Sequence, residues 1–368
     1  MQKKPLLAMF LGAGWEQWDE TYLQKEGIGG SETAAIWMGR ELSSLGYEVK
    51  IFANPFSQHF DEKGYDVEYL HYSSWKTFAA KFTIDILITS RTLYPLNTPS
   101  QIGQVYVWIH DVFLHPDRSF DCKVDQVDAY LCLSPWHKEL VHTHHNIPLD
   151  KIRVTANGID PSRYEKPCDK LGSQVFYSSS PDRGLDTLLY CAKFIRKFIP
   201  DFTVVVAYGF SNWEKAAKIR NDPQEFAYMK SIKAELDKPY VRYLGRVDQK
   251  ILALTQKQSS AWLYPTRFHE TFCITAVEAG FARVPILSSK QAGLISTVQK
   301  GGILLEGDAY TKEYRKLFVE EAVKLLTHKS YNEQWADRAY QRMQRFTWEA
   351  VAMQWHQLFE KKVWNDLL

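Results

Sequence analysis

Short apolar runs recur along the chain, each followed by turn residues or by an amphipathic stretch. In the first half they fall at residues 6–11, 49–52, 67–70, 84–89, 105–109 and 129–133. In the second half they fall at 174–178, 202–208, 241–244 and 261–263. Short apolar runs bounded by turn signals predict strands buried on both faces. The intervening segments carry helical spacing. Leu185, Leu188, Leu189, Ala192, Ile195 and Phe198 lie on one face of a helix predicted over 185–198. Ser31 is placed to cap a helix that runs to about Leu45 and stops at Gly46, as polar caps and terminal glycines do. A charged helical region leads to Leu236, and a last amphipathic helix begins at Phe346-Thr347-Trp348. Strands alternating with helices imply parallel sheets with crossovers, an α/β doubly wound architecture. Such sheets bind ligands beyond the carboxyl ends of their strands.

One stretch has chemistry beyond the pattern. After the strand at 261–263, Pro265 and Thr266 break the run, and Glu270-Thr271 opens a predicted helix with Phe272, Ile274, Ala276, Val277 and Phe281 on its apolar face. A loop feeding a helix start offers unpaired amides and the positive end of the helix dipole, which attract phosphate. Glu270 sits at the mouth of this site. Glu278 would lie about 12 Å further along the helix. A carboxylate only accepts hydrogen bonds, so a hydroxyl-rich ribose is a fitting partner. Two ordinary surface glutamates are the alternative. A second loop, Gly27-Ile28-Gly29-Gly30-Ser31-Glu32, precedes a helix start and lets a ligand approach its backbone; the dinucleotide fingerprint G-x-G-x-x-G is absent. His110-Asp111 follows the strand at 105–109, where a catalytic group or a structural histidine are both compatible with the sequence. His142, His144 and His145 read as a solvated helix end rather than a metal site.

Length and composition narrow the class. The chain has 368 residues, 45% hydrophobic and 24% charged, with a net charge of +2. That is a globular balance for two domains, without an electrostatic footprint for nucleic acid. The five cysteines, Cys122, Cys132, Cys168, Cys191 and Cys273, are scattered without C-x-x-C spacing and read as reduced thiols of a cytoplasmic protein. The first apolar run is too short for a signal peptide, and no run spans a membrane. Lys193, Arg196 and Lys197 form a basic stretch that a solvated face explains, with peripheral contact to an anionic membrane surface as the alternative.

The order Glu270-x7-Glu278, Ala279-Gly280, a strand start at Pro285 and Gly301-Gly302 resembles the donor-site signature of family 4 of the retaining GT-B glycosyltransferases, the glycosyl transferases group 1. The resemblance extends over nearly the whole chain. It implies two Rossmann-like domains facing a cleft: residues 1–165 on the acceptor side, residues 166–345 on the donor side, and a C-terminal helix at 346–368 crossing back to the first domain. It places Glu270 and His110 beside the donor sugar and Glu278 on the nucleotide ribose. Gly29 and Gly30, with the helix-start residues Thr271, Phe272 and Cys273, would lie against the donor. Trp15, Trp18 and Tyr22 lie on the expected acceptor side, where their faces suit sugar stacking or burial under the loop.

The implied activity is transfer of a sugar from a nucleotide diphosphate sugar to a sugar, lipid-linked or protein acceptor with retention. The nucleotide sugar is a co-substrate, and no cofactor is implied. No Asp-x-Asp motif is present, so no obligatory metal is expected. A sugar-nucleotide epimerase or hydrolase of the same fold, or a non-catalytic carbohydrate-binding module, are the other readings. One departure stands out. The family pattern carries an Arg and a Lys six residues apart to clamp the diphosphate, the Lys just before a Gly. Here Arg183 precedes Gly184, and Tyr177 occupies the earlier position. Arg246 or Arg267 is expected to supply the missing cation.

Overall fold

The computed structural model describes residues 3–14, 16–25, 27–112, 123–361, 364 and 367–368. The chain divides into two compact units. Met1–Leu23, Ile28–Ile159 and Phe346–Leu368 form the first, and Gln24–Gly27 with Asp160–Arg345 form the second.

Among the described residues the first unit is built on β1 (Leu6–Phe10), β2 (Glu48–Ala53), β3 (His59–Phe60), β4 (Val67–His71), β5 (Ile84–Ser90), β6 (Ile102–Trp108), β7 (Ala129–Cys132) and β8 (Ile152–Val154). Their spatial order is β3-β4-β2-β1-β5-β6-β7-β8. All neighbours pair in parallel except β3, which runs against β4. The register sets Leu7 opposite Val49 on one side and Ile86 on the other. These strands are apolar on both faces because helices cover both, as in parallel sheets generally. Trp75 meets Phe10 and Phe52 edge to face in the core, 5.6 Å from Phe10 and 5.1 Å from Phe52. The chain order reverses between β1 and β5, so the carboxyl ends of these two strands mark the place for a ligand. The helices up to this point are α1 (Tyr22–Lys25), α2 (Gly30–Ser44), α3 (Trp75–Ala79) and α4 (Pro135–His145).

The second unit repeats the plan with β9 (Gln174–Tyr177), β10 (Thr203–Val206), β11 (Val241–Tyr243), β12 (Ala261–Tyr264), β13 (Ile286–Ser289) and β14 (Ile303–Leu305). The order is β11-β10-β9-β12-β13-β14, parallel throughout, and it reverses between β9 and β12. Its helices are α5 (Leu185–Ile195), α6 (Ser211–Arg220), α7 (Pro223–Leu236), α8 (Gln249–Gln258), α9 (Ile274–Phe281), α10 (Ala292–Val298), α11 (Lys312–Thr327) and α12 (Lys329–Met343).

The last helix, α13 (Trp348–Phe359), belongs to the first unit. Thr347 caps it by accepting from the Ala350 amide at 3.1 Å. Trp355 is fully buried; its indole donates to the Thr155 hydroxyl at 2.8 Å and its ring meets Trp108 edge on. Full burial of one such large side chain contributes about 1.5–3 kcal/mol.

Two expectations are corrected. The helix expected to open at Glu270-Thr271 begins at Ile274 instead. Cys273 is left-handed, at φ 81°, and no right-handed helix continues back through such a residue. The helix expected over 185–198 ends at Ile195 as α5. Among the described residues, no helix is long and apolar enough to cross a membrane.

Candidate active site

The switch point of the second sheet gathers three loops. The first runs from β9 to α5. Tyr177 closes β9, and its hydroxyl donates to the Ser180 carbonyl at 2.7 Å, shaping the turn that presents Arg183. The second runs from β12 to α9 and carries Glu270. A Cβ at Gly184, whose φ is +105°, would stand 2.5 Å from the Pro265 carbonyl oxygen, so these two loops touch only because residue 184 is glycine. The third runs from β13 to α10, where the Gly293 amide donates to the Glu270 carbonyl at 2.8 Å.

Within this frame Arg183 and Glu270 meet. Arg183 Nη1 donates to Glu270 Oε1 and Oε2 at 3.3 and 3.4 Å, and the Tyr264 hydroxyl donates to Oε1 at 2.7 Å. Glu270 is 6% exposed, so it is not an ordinary surface glutamate. Arg183, with 35% of its side chain exposed, lies 3.9 Å over the Phe268 ring. Burial opposes its charge, but Glu270 together with Tyr264, Asp182 and Tyr208 outweighs burial and holds the guanidinium ionised. Burial, with Glu270 close by, raises the Cys273 thiol well above its ordinary range and keeps it protonated. Thr275, in the first turn of α9, donates to the Ser178 carbonyl at 3.4 Å, which sets the helix start beside the β9 loop. Cys273 gives that helix no side-chain cap, and first-turn amides have no partner within their own helix. A guanidinium beside a helix start is suited to hold phosphate.

Glu278 points into a second, more enclosed network and is also 6% exposed. Its Oε1 accepts from Arg163 Nη2 at 2.9 Å and its Oε2 from Gln256 Nε2 at 2.8 Å. The Tyr164 hydroxyl donates to Gln256 Oε1 at 2.6 Å and fixes that amide's orientation. Each carboxylate oxygen keeps a further lone pair, enough for a hydroxyl ligand.

The switch point of the first sheet has its own constellation. Arg91 follows β5 in a left-handed conformation, φ 66°. Its Nη2 donates to Ser31 Oγ at 2.7 Å, its Nη1 lies 3.6 Å from Glu32 Oε1, and its Nε donates to Asp111. Glu32 folds back over Gly29 at the start of α2, so that the chain's own carboxylate lies against this helix N-terminus. Gly30 is the first residue of α2. His110 follows β6, its ring 4.2 Å from Trp108. Burial, Arg91 and His137 all push its pKa well below the usual histidine range, so the imidazole is neutral at pH 7. His137 is buried inside α4. The Leu133 amide donates to its Nδ1 at 3.2 Å, so the proton sits on Nε2 and is donated to the Asp111 carbonyl at 3.2 Å. Arg91, Glu32, His137, Tyr264, Arg163 and Gln256 were not signalled by any motif. Arg91 alone had a positional cue, the first residue after a buried strand.

The other expected site residues have the following surroundings. Arg267 pairs with Asp308 at 3.0 Å and lies 4.6 Å over Tyr310. Arg246 follows β11, the edge strand, and its stem covers Gly209. Trp18 is 2% exposed and its amide donates to the Asn54 carbonyl at 3.0 Å. Its face is closed to an acceptor, and packing is its role: a correction of the stacking expectation. Tyr22 stacks on the exposed Phe56 at 5.0 Å. Trp15 and Cys122 lie outside the described residues. His142 and His144 bond backbone carbonyls at the end of α4. Of the basic stretch at the end of α5 and just beyond it, Lys193 pairs with Glu235, Arg196 donates to the Phe202 carbonyl, and Lys197 lies over Phe194.

Two doubly wound α/β units with a final helix returned to the first define the GT-B fold. Residues 177–342, the part that holds Arg183, Glu270 and Glu278, match the model of the family described as glycosyl transferases group 1. No curated protein sequence matches the chain. Among solved structures, sucrose-phosphate synthase from Thermosynechococcus elongatus is similar at TM-score 0.74 and 14% identity, with 97% of this chain and 99% of that chain covered. A glycosyltransferase from Rickettsia africae ESF-5 is similar at TM-score 0.70 and 14% identity, with 97% and 98% covered. Anabaena Alr3699/HepE in complex with UDP-glucose is similar at TM-score 0.68 and 15% identity, with 96% and 99% covered.

Proposed function

We propose that the protein is a glycosyltransferase that moves a sugar from a nucleotide diphosphate sugar to an acceptor hydroxyl with retention of configuration. The observation that carries this reading is the Arg183–Glu270 pair beside the start of α9, at the switch point of the sheet inside the matched segment. As the bond from the anomeric carbon to the phosphate oxygen breaks, negative charge grows on the departing diphosphate. Arg183 and the first-turn amides of α9 neutralise it, a stabilisation strongest in the transition state. The acceptor hydroxyl attacks from the face the phosphate leaves, and a departing phosphate oxygen takes its proton. Glu270 holds Arg183 and accepts from hydroxyls of the donor sugar. His110, neutral at pH 7, gives the sugar a further hydrogen bond. Glu278 accepts from the ribose. No metal takes part in this step, and no resident cofactor is proposed.

Because one similar structure holds UDP-glucose, that donor is the first to test, within a panel of nucleotide sugars screened by thermal stabilisation. Proton NMR of the product formed in EDTA then decides the stereochemistry. A retained anomeric configuration is expected. An inverted linkage, or complete loss of activity in EDTA with the fold intact by circular dichroism, overturns the mechanism, and epimerisation or hydrolysis without any acceptor turns the reading to an epimerase or hydrolase.

A further inference from the structure

The loop between β1 and α2 meets the β3–β4 edge of the first sheet at a buried charged cluster. Asp19 and Glu20 are each 3% exposed. The chain orients one oxygen of each. Asp19 Oδ1 accepts from the Thr21 amide and hydroxyl at 3.1 and 2.6 Å, and Glu20 Oε1 accepts from the Glu62 amide at 3.2 Å. His59 on β3 is the register partner of Tyr69 on β4, and their rings stack 5.2 Å apart. His59 Nδ1 lies 2.8 Å from the Ser57 carbonyl oxygen, which can only accept, so Nδ1 carries a proton. His59 Nε2 lies 3.0 Å from Glu20 Oε2. In a neutral imidazole these are two facing acceptors, and the contact requires either a second proton on the ring or a cation.

Two further observations favour the cation. The Tyr69 hydroxyl is fully buried and has no hydrogen-bond partner among the described residues, although its ring backs His59. The charges acting on it are those of Glu20, Asp61, Arg40 and Asp19. Of these, Arg40 is committed to Asp61 at 2.7 Å. Among the described residues, the two buried carboxyl groups of Asp19 and Glu20 have one ion-pair partner, His59. One proton on His59 cancels one charge; a divalent ion cancels both, and buried uncompensated carboxylates are costly.

We propose that Asp19, Glu20 and His59 bind a divalent metal ion of the zinc type that pins the β1–α2 loop to the sheet edge. Their ligand atoms lie within 4.8 Å of one another. With bonds of about 2.0–2.2 Å, two ligands of a tetrahedral zinc ion stand about 3.3–3.6 Å apart, so side-chain rotations that draw the three groups together by about 1 Å, with a water as the fourth ligand, complete the shell. One imidazole with two carboxylates suits zinc better than magnesium or calcium, which prefer oxygen alone. The Nδ1–H bond to the Ser57 carbonyl is the outer contact that orients metal-binding histidines. This ion is structural and independent of the sugar-transfer reading.

The test uses the full chain, stripped with EDTA and titrated with ZnCl2 by calorimetry and with Co2+ by visible absorption. One Zn2+ per chain, tetrahedral Co2+ bands and a melting temperature that rises with Zn2+ are expected. His59→Gln and Asp19→Asn, each checked for folding by circular dichroism, should weaken binding at least tenfold. If either variant fails to fold, 15N NMR of the unaltered protein replaces it, where Zn2+ should move the His59 Nε2 resonance. Absence of saturable binding, unchanged affinity in folded variants, or a His59 Nε2 resonance indifferent to Zn2+ overturns the proposal and leaves a proton as the balancing charge.

Discussion

Arg183 and Glu270 are brought within 3.3 Å of each other from the ends of two neighbouring strands, β9 and β12. Tyr264 and Phe268 fix the pair, one by its hydroxyl and the other by its ring face. Among the described residues the buried Arg183 Nε has no hydrogen-bond partner. The guanidinium is therefore positioned and still has donor capacity for an incoming phosphate. Arg183→Ala is expected to lower kcat/KM by a factor on the order of 10²–10³, the loss typical of one oxyanion donor. Arg183→Lys should recover part of it, since lysine restores charge without the planar fork. Steady-state kinetics, with Arg246→Ala and Arg267→Ala alongside, check this; near-normal kinetics for Arg183→Ala would place the diphosphate elsewhere.

Glu278 raises a separate issue, because removing it strands Arg163. Breaking a buried ion pair from one side costs roughly 3–5 kcal/mol, so Glu278→Ala is expected to be unstable as well as weak in binding. Glu278→Gln keeps the shape. It should fold and weaken nucleoside diphosphate binding by roughly 1.5–3 kcal/mol, the worth of a hydrogen bond to a charged group. Titration calorimetry decides it, and unchanged affinity in folded Glu278→Gln removes Glu278 from the ribose site.

For Trp18 the expectation is stability rather than acceptor affinity. Trp18→Ala removes a fully buried indole and should cost about 3–5 kcal/mol of unfolding free energy. The acceptor KM of the folded fraction should stay the same. Urea denaturation together with acceptor kinetics checks both; a raised KM at undiminished stability would reinstate an acceptor contact.

His137 sets a pH dependence. Burial lowers its pKa from 6.5 to about 4, and its bond to the Asp111 carbonyl offsets only part of that. A depressed folded-state pKa means that folding favours the neutral ring. The resulting stability is complete above pH 6.5 and is lost as pH falls toward 4. Its size is about 3 kcal/mol by linkage, and His110 acts in the same direction. Urea unfolding at pH 7 and pH 4.5 should show the decline, and His137→Gln should reduce it. An equal decline in that variant would assign the acid sensitivity to other groups.

Most parallel strands were legible in the sequence because a parallel sheet covered on both faces needs continuous apolar runs such as residues 84–89 and 261–263, whereas β3, a two-residue antiparallel edge strand, has no such run. The start of α9 was not legible. The apolar spacing continues back through Phe272, and nothing in it records that Cys273 turns left-handed. Glu270 and Glu278 could be singled out by spacing, but their partners come from elsewhere in the chain: Arg163 is 115 residues and Gln256 is 22 residues from Glu278. Trp18 misled because an aromatic in a polar stretch looks like a ligand platform until the loop's packing is known. His137 was hidden by the polar composition of α4, whose buried side is narrow.

Ile159 and Thr347 form an isolated parallel bridge, with the Ile159 amide donating to Phe346 and the Trp348 amide to Ile159. The second unit is thus inserted into the first, leaving and re-entering it at neighbouring points. On the ribosome, this reverses the usual priority of the amino-terminal half. All eight strands of the first sheet precede Asp160, yet Trp355, the side chain that closes over Thr155 and Trp108, is synthesised only after the whole Asp160–Arg345 segment. The unit started first is the unit finished last. Until α13 emerges, the nascent first sheet must wait with that side of its core uncovered, while the whole of the inserted unit is available to fold.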